Sequence, residues 1–215
     1  MRKRQVSAAL AVIVAGVLLS GCSPVSSLAT GATPAPPSAT PSPTPVVAVA
    51  LVLSLDDITV VNSDGSTADA AAFSDGAATV ALLSRELGTP PTTTRNDDYG
   101  LTMYDWKGVG ATLTDHDAGA TVGFTRSELN GLALRTSEGI HVGSSLSEVR
   151  AVASPDTEYE PENSSDAYFG LEARPHPGTE SLAVPGQVGK DYISVRLEHG
   201  IVVNIGTPGG DWQDL

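Results

Sequence analysis

The side chains that could carry acid–base or metal chemistry are scattered along this 215-residue chain and do not form a recognisable motif. The four histidines are each isolated in sequence, at His116, His141, His176 and His199. Zinc sites usually combine cysteines, or histidines one helical turn apart, and the chain has neither arrangement. The Asp-His-Asp segment at 115–117 comes nearest to a metal cluster, but a polar hairpin tip explains it more simply. We therefore expect no bound metal and no cofactor.

Acidic loops are the next candidates, because carboxylate oxygens are the ligands that calcium prefers. Three stretches are rich in Asp, Glu and Asn, at residues 62–66, 96–98 and 158–166. None of them has the twelve-residue spacing with a closing glutamate that defines the best-known calcium loop. Solvated surface loops are the simpler interpretation, and weak calcium binding is the alternative.

Nucleophilic catalysis has no support in the sequence. The chain contains no Gly-x-Ser-x-Gly segment, and a helix cap accounts for one of the clustered serines at 144, 145 and 147. The segment 184–190 lacks the glycine spacing of a phosphate-binding loop. A catalytic carboxylate pair remains open, since 25 acidic residues could always bring two together in space. The sequence therefore leaves enzymatic activity open and favours a non-enzymatic role.

Aromatic residues could form a binding face, although most of them are expected to pack in the core of a sheet. They include Tyr99, Tyr104, Trp106, Tyr168, Phe169, Tyr192 and Trp212. Trp212 stands out because it lies in the tail after the last predicted strand. An aromatic side chain there is either docked on the domain or free for a partner.

Cys22 is the only cysteine of the chain, which excludes an intramolecular disulfide and a thiolate metal cluster. Three cations at positions 2–4 precede an uncharged run at 8–19, an order typical of a secretory signal. That run has 12 residues, too few for a span that needs roughly 20. Leu19-Ser20-Gly21-Cys22 then resembles the lipobox of bacterial lipoproteins.

This resemblance implies that residues 1–21 are a signal peptide and that Cys22 becomes the diacylated first residue of the mature protein. Each buried methylene contributes about 0.8 kcal/mol, so two acyl chains give a stable anchor. The protein would then lie on the extracytoplasmic face of the cell membrane, or on an outer membrane, held by the lipid on Cys22. The alternative is an ordinary signal peptide with a fortuitous cysteine.

Residues 22–47 are predicted to be the lipidated cysteine followed by a disordered tether. The tether is rich in Pro, Ser, Thr and Ala and has almost nothing to bury. Removing the signal takes away three of the 12 cations and none of the 25 acids, which leaves a formal charge of −16. An acidic protein of this kind is repelled by phosphate backbones, so we expect no nucleic-acid partner.

Residues 48–215 are predicted to form an α+β domain, an antiparallel sheet with two helices packed on one face. Helical spacing of apolar residues predicts helices at 77–87, capped by Ser74 or Asp75, and at 146–153, with a capping box at Ser145 and Glu148. Alternation and β-branched content predict strands at 49–53, 58–61, 101–106, 109–114, 121–125, 132–135, 167–173, 192–198 and 201–205. Asp64-Gly65, Lys107-Gly108 and His199-Gly200 are predicted hairpin turns.

A faint internal repeat divides the domain into two helix-plus-sheet units, residues 73–136 and 137–206. The segment 139–150, a glycine turn followed by a capped helix, resembles the small tandem modules of β-lactamase-inhibitor-like and outer-membrane-assembly-lipoprotein-like families. It is also similar to uncharacterised secreted lipoproteins of actinobacteria, and 87–90 gives a second partial match. The resemblance implies a fold and, by analogy, a protein-binding surface.

These observations predict a membrane-anchored extracytoplasmic lipoprotein, a non-enzymatic binding or envelope-associated protein of unknown ligand. Its expected partners are the membrane, through the lipid on Cys22, and a protein of the cell envelope. Two alternatives come from other classes: a secreted hydrolase that uses dispersed carboxylates, and an inhibitor-like module that binds a secreted enzyme.

Overall fold

Sheet dominates the fold, and a computed structural model describes it for residues 44–162 and 164–214. These residues fall in one compact unit. The predicted signal peptide, Cys22 and residues 23–43 of the predicted tether lie outside the described residues. In the part that the structure describes, no helix is long and apolar enough to cross a membrane.

Two helices and fourteen strands make up the described chain. The helices are α1 (Gly76–Leu87) and α2 (Leu146–Val152). The strands are β1 (Ala48–Leu53), β2 (Asp57–Asn62), β3 (Thr67–Ala72), β4 (Thr92–Asn96), β5 (Leu101–Asp105), β6 (Val109–Thr114), β7 (Ala120–Phe124), β8 (Glu128–Leu129), β9 (Leu132–Thr136), β10 (Asp166–Pro175), β11 (Thr179–Ser181), β12 (Lys190–Glu198), β13 (Ile201–Gly210) and β14 (Trp212–Asp214).

Helix α1 begins and ends where its local signals predict. The Asp75 carboxylate accepts a hydrogen bond from the backbone N–H of Ala78 at 2.9 Å, which satisfies one free donor of the first turn. Gly88 ends the helix in the left-handed conformation, with φ 64°, which glycine adopts without a steric penalty. Leu83 and Leu87 are buried, and the helix packs against β3 and β7.

Helix α2 has the predicted capping box. The Ser145 N–H donates to the Glu148 carboxylate at 2.6 Å, and the Glu148 N–H donates to the Ser145 hydroxyl at 3.4 Å. The backbone N–H of Ser145, and then its hydroxyl, lower the pKa of Glu148. The carboxylate is therefore ionised in the folded protein, at the helix end where the dipole favours negative charge.

Ser145→Ala should destabilise the protein by about 1 kcal/mol, the usual cost of losing a side-chain cap. Urea unfolding measures this cost, and Ser145→Thr, which keeps a hydroxyl cap, should unfold nearly as the wild type does. Because the folded pKa of Glu148 is lowered, its contribution is complete above the unfolded glutamate pKa of about 4.3 and is lost as pH falls through the folded value. The difference between wild type and Ser145→Ala should therefore shrink in acid. A difference that grew with acidity would contradict this account.

The strands form two larger sheets and one pair, where the sequence predicted a single sheet. One sheet has the order β3-β2-β1-β9-β8, the second has the order β10-β12-β13-β7-β6-β5-β4, and β11 pairs with β14. All pairings are antiparallel except that of β1 with β9, which is parallel. A parallel pair needs a long connection, and here 78 residues separate the two strands, so local turn signals could not reveal it. The α+β class is confirmed.

The three predicted hairpin turns are confirmed. Asp64-Gly65 joins the paired strands β2 and β3, Lys107-Gly108 joins β5 and β6, and His199-Gly200 joins β12 and β13. Gly65 has φ 83°, a conformation that other residues adopt only with strain. The predicted strands agree with the observed ones to within a few residues, but β10 and β13 continue further, to Pro175 and Gly210.

Neither of the two predicted repeat units forms a separate sheet. Residues 73–136 supply β4 to β7 of the seven-stranded sheet and β8 and β9 of the five-stranded one. Residues 137–206 supply β10, β12 and part of β13, and β13 pairs directly with β7. The buried core between these elements consists of Leu, Val, Ile and Ala with four aromatic residues, Phe73, Trp106, Phe124 and Phe169.

Candidate functional site

A cleft of about 740 Å³ lies between the two larger sheets. The loop between β1 and β2 and the end of β3 line it from the five-stranded sheet. The ends of β6, β10 and β13 and the starts of β7 and β12 line it from the seven-stranded sheet. Clefts of this size, at a junction of structural elements and with a few convergent polar groups, are where small molecules usually bind.

Strand register brings together polar groups that are far apart along the chain. Arg174 of β10 is opposite Asp191 of β12, and Asp191 is opposite Gly210 of β13. His176 follows β10 directly, and its backbone N–H donates to the Gly189 carbonyl at 2.7 Å. Trp212 begins β14, two residues after Gly210. The pairing of β10 with β12 and the short link from β13 to Trp212 therefore bring His176, Asp191 and Trp212 side by side, although 15 and 21 residues separate them along the chain.

His176 and Asp191 form a hydrogen-bonded pair. The Nδ1 atom of His176 lies 2.9 Å from Oδ1 and 3.0 Å from Oδ2 of Asp191, and the two side chains are 37% and 18% exposed. A carboxylate can only accept here, so Nδ1 carries the proton and neutral His176 has its lone pair on Nε2. Among the described residues, none forms a hydrogen bond with Nε2.

Trp212 holds this pair from the other side. Its indole N–H donates to Oδ1 of Asp191 at 2.9 Å, and its ring stacks on the His176 imidazole with centroids 4.3 Å apart and planes at 28°. The side chain is therefore docked on the domain, one of the two outcomes expected from its place in the tail. Because one N–H and one ring face fix Asp191 and His176, the tryptophan orients both groups.

Asp211 anchors the segment that carries Trp212. Its carboxylate accepts from the Lys190 N–H at 2.6 Å and from the Ser181 hydroxyl at 2.8 Å. These bonds tie β11, the start of β12 and the start of β14 together. Burial raises the pKa of the adjacent Tyr192 hydroxyl, and the Asp211 carboxylate raises it further. Tyr192 is therefore neutral beside the site at physiological pH.

Arg174 connects the two sides of the cleft. Its Nη1 and Nη2 atoms donate to the Asp56 carboxylate at 2.8 and 2.6 Å, and its Nε lies 3.9 Å from Oδ2 of Asp191. The hydrogen bonds to Asp56 raise the pKa of Arg174, and the surrounding carboxylates add to the rise. The guanidinium is thus charged, and it already forms a bidentate ion pair with Asp56.

A bulge in β10 sets the position of Arg174. The register of β10 against β12 shifts between Leu171 and Arg174, and Glu172 within the bulge has φ 51°. Bulges re-aim the side chains that follow them. The Glu172 carboxylate accepts from the Leu55 N–H at 2.8 Å and from the Ser137 hydroxyl, so it holds β10 against the loop that bears Asp56.

Asp117 is the carboxylate of the cleft whose charge is not balanced. It lies in the turn between β6 and β7, where its Oδ1 accepts from the Gly119 N–H at 3.1 Å. Within the described part of the chain it makes no ion pair. With Asp56, Asp117 and Asp191 against Arg174 and neutral His176, the formal charge of the lining is −2.

Of the other residues that the sequence singled out for chemistry or binding, only Asp117 lines this cleft. The segment 115–117 is a polar hairpin turn, as predicted, and it contributes only Asp117 to the lining. His141 caps its own turn through the Val142 carbonyl, and Tyr99 is 71% exposed on a loop. Between residues 44 and 214, leaving out residue 163, no group of three His, Cys, Asp or Glu residues is arranged to hold a metal ion.

Asp191 and Arg174 were missed because nothing near them in sequence marks them. Each lies in a strand whose neighbours are ordinary sheet residues, and the sheet register alone makes them adjacent. Chemically, the site offers a fixed lone pair on His176 Nε2, an unbalanced carboxylate on Asp117, and a polar cleft large enough for a small molecule. No family model, curated protein or solved structure matches the chain.

Proposed function

We propose that the chain is a membrane-anchored extracytoplasmic lipoprotein that binds a small polar ligand in the cleft between its two larger sheets. The cleft itself carries the binding proposal: about 740 Å³ of space with His176, Asp191 and Trp212 held in one hydrogen-bonded arrangement. Convergent polar groups fixed by their neighbours favour binding because little ordering is needed when the ligand arrives.

The anchor and the tether of this proposal rest on the sequence. The lipid on Cys22 would hold the protein at the cell membrane, and residues 23–47 would separate the domain from the lipid surface. A ligand or an envelope protein would then meet the cleft outside the membrane. Two finer features of the fold belong to the same proposal: both helices on one sheet face, and two related helix-plus-sheet units.

A hydrolase remains the alternative, and the cleft does supply one part of it. His176 Nε2 could accept a proton from water, since Asp191 orients the ring as in known acid–base pairs. Yet in the described part of the chain no hydroxyl or thiol is hydrogen-bonded to Nε2 as a nucleophile. Binding therefore accounts for more of the observed geometry than catalysis does. The inhibitor-like alternative stays a prediction.

Thr121→Tyr should abolish ligand binding by filling the cleft. Thr121 lines the cleft and its side chain is exposed on β7, so the larger ring is accommodated without disturbing the core. The test is a thermal-shift and calorimetric screen of small polar compounds against the full mature chain in detergent, with each hit repeated on the variant. We expect at least a tenfold weaker affinity.

Thr93→Tyr is the matched control, because Thr93 is also an exposed strand threonine but lies on β4, outside the cleft. It should bind each hit as the wild type does. Equal affinity in both variants would place the ligand elsewhere. A screen without any hit would overturn the binding function itself.

A further inference from the structure

We infer that the cleft selects an organic cation that carries N–H donors, such as a primary ammonium group, through His176 Nε2 and the Asp117 carboxylate. This inference rests on the proposed binding function and specifies its ligand. It follows from three features of the site: the tautomer of His176, the balance of charge around it, and the engagement of Arg174.

The tautomer of His176 determines which hydrogen-bond partner fits. Asp191 receives donors from His176 Nδ1 and from the Trp212 indole, and the Arg174 Nε lies nearby at 3.9 Å. The Asp191 carboxylate oxygens accept at 2.9 and 3.0 Å, so in the neutral imidazole the proton lies on Nδ1. Neutral His176 can therefore only accept at Nε2. A ligand that pairs with it has to donate an N–H or O–H group.

The balance of charge favours a positive ligand over a neutral one. Asp56 is neutralised by its two hydrogen bonds to Arg174, and Asp191 is satisfied by His176 and Trp212. Asp117 has only a backbone N–H as partner among the described residues. A cation that enters the cleft would pair with this carboxylate, and the surplus of −2 around the lining would attract it.

Arg174 does not convert the cleft into an anion site. Both of its Nη atoms donate to Asp56, so a carboxylate or phosphate ligand would have to break that pair first. The anion would also approach Asp117 and Asp191, and like charges at close range are unfavourable. The same geometry that attracts an ammonium group therefore disfavours an acid of equal size.

Four probes of similar size separate charge from hydrogen bonding. They are n-propylammonium, tetramethylammonium, propionate and n-propanol, each titrated into the ¹⁵N-labelled mature chain in detergent. Histidine side-chain ¹⁵N spectra report the tautomer and the environment of each ring nitrogen. We expect His176 to show a protonated Nδ1, and only n-propylammonium to shift its Nε2 resonance appreciably. Tetramethylammonium has the charge but no N–H donor, so it should leave Nε2 nearly unchanged.

Asp117→Asn and Asp98→Asn provide the matched pair of variants. Both remove one negative charge from an exposed loop, but only Asp117 lines the cleft. Asp117→Asn should weaken n-propylammonium binding about tenfold, and Asp98→Asn should change it less than twofold, because distant exposed charges are screened. His176→Phe keeps an aromatic ring beside Trp212 but has no hydrogen-bond acceptor, so it should weaken the preference for n-propylammonium over tetramethylammonium.

The outcomes separate the ligand class from the binding function. Propionate or propanol binding as well as n-propylammonium would overturn the cation inference and leave the cleft as a binding site. Equal effects of Asp117→Asn and Asp98→Asn would also overturn it. By contrast, a failure of the binding function would appear in the wider screen, as an absence of any compound whose affinity Thr121→Tyr reduces.

Discussion

Cys22→Ala is expected to release nearly all of the protein from the membrane fraction or to leave it unprocessed. Without the thiol no acyl chain can be attached, and without the two chains the anchoring free energy of about 0.8 kcal/mol per methylene disappears. Cell fractionation with mass spectrometry of the N-terminal peptide measures the change. The wild-type peptide should begin at acylated Cys22, and the variant peptide should carry no lipid.

Ser23→Ala is the control for this variant, since it changes the adjacent residue outside the lipobox segment 19–22. It should remain in the membrane fraction with its lipid. A Cys22→Ala protein that was cleaved like the wild type and yet stayed as firmly bound would contradict the anchor and, with it, the proposed location. An unmodified Cys22 in the wild-type peptide would support the ordinary signal peptide instead.

Local features of the fold were predictable because local interactions create them. Asp75 caps the start of α1 with its side chain, and Gly88 ends the helix in the left-handed conformation. Each signal lies within one turn of the helix end that it defines. The Ser145 and Glu148 pair defined α2 in the same way. Hairpins followed from the glycines at 65, 108 and 200, because a tight turn fixes its two strands as partners.

Strands without an apolar pattern were missed. The sequence of β3, Thr-Ala-Asp-Ala-Ala-Ala, and that of β4, Thr-Thr-Thr-Arg-Asn, show no alternation between core and solvent, because nearly all of their side chains are exposed. Each forms an edge of its sheet, where one neighbouring strand supplies the register. Tertiary pairing, not local propensity, makes these segments strands.

The residues of the candidate site could not be predicted from the sequence for the same reason. The antiparallel register of β10 with β12 brings Arg174 next to Asp191, and the side chain of Trp212 reaches Asp191 from β14 through a hydrogen bond. Trp212 could be suspected because an aromatic in a tail needs a reason, whereas Asp191 is one of 25 acidic residues. An isolated histidine acquires a role only once its carboxylate partner is known, and here 15 residues separate His176 from that partner.

Gly210→Ala should dismantle the site while the rest of the domain stays folded. A Cβ at this position would lie 2.8 Å from Cδ1 of Trp212 and would overlap Nε1, so the indole has to move. Its hydrogen bond to Asp191 and its stacking on His176 would be lost together. We expect a cost of about 1–3 kcal/mol in unfolding free energy, typical of overpacking. We also expect at least a tenfold loss of affinity for cleft ligands, and we expect Trp212, which is already partly exposed, to become more accessible to acrylamide quenching while Trp106 stays buried.

Gly206→Ala tests whether this effect belongs to the tryptophan contact and not to glycine loss in general. Gly206 lies four residues earlier in the same strand, β13, and an added Cβ there would have Val122 O as its nearest neighbour, at 3.9 Å. Since neither glycine has a positive φ, both accept alanine without backbone strain. Gly206→Ala should therefore keep wild-type quenching and cleft-ligand affinity. If the two variants behaved alike, Trp212 would not be the element that holds His176 and Asp191 in position, and the fixed tautomer on which ligand selection depends would need another cause.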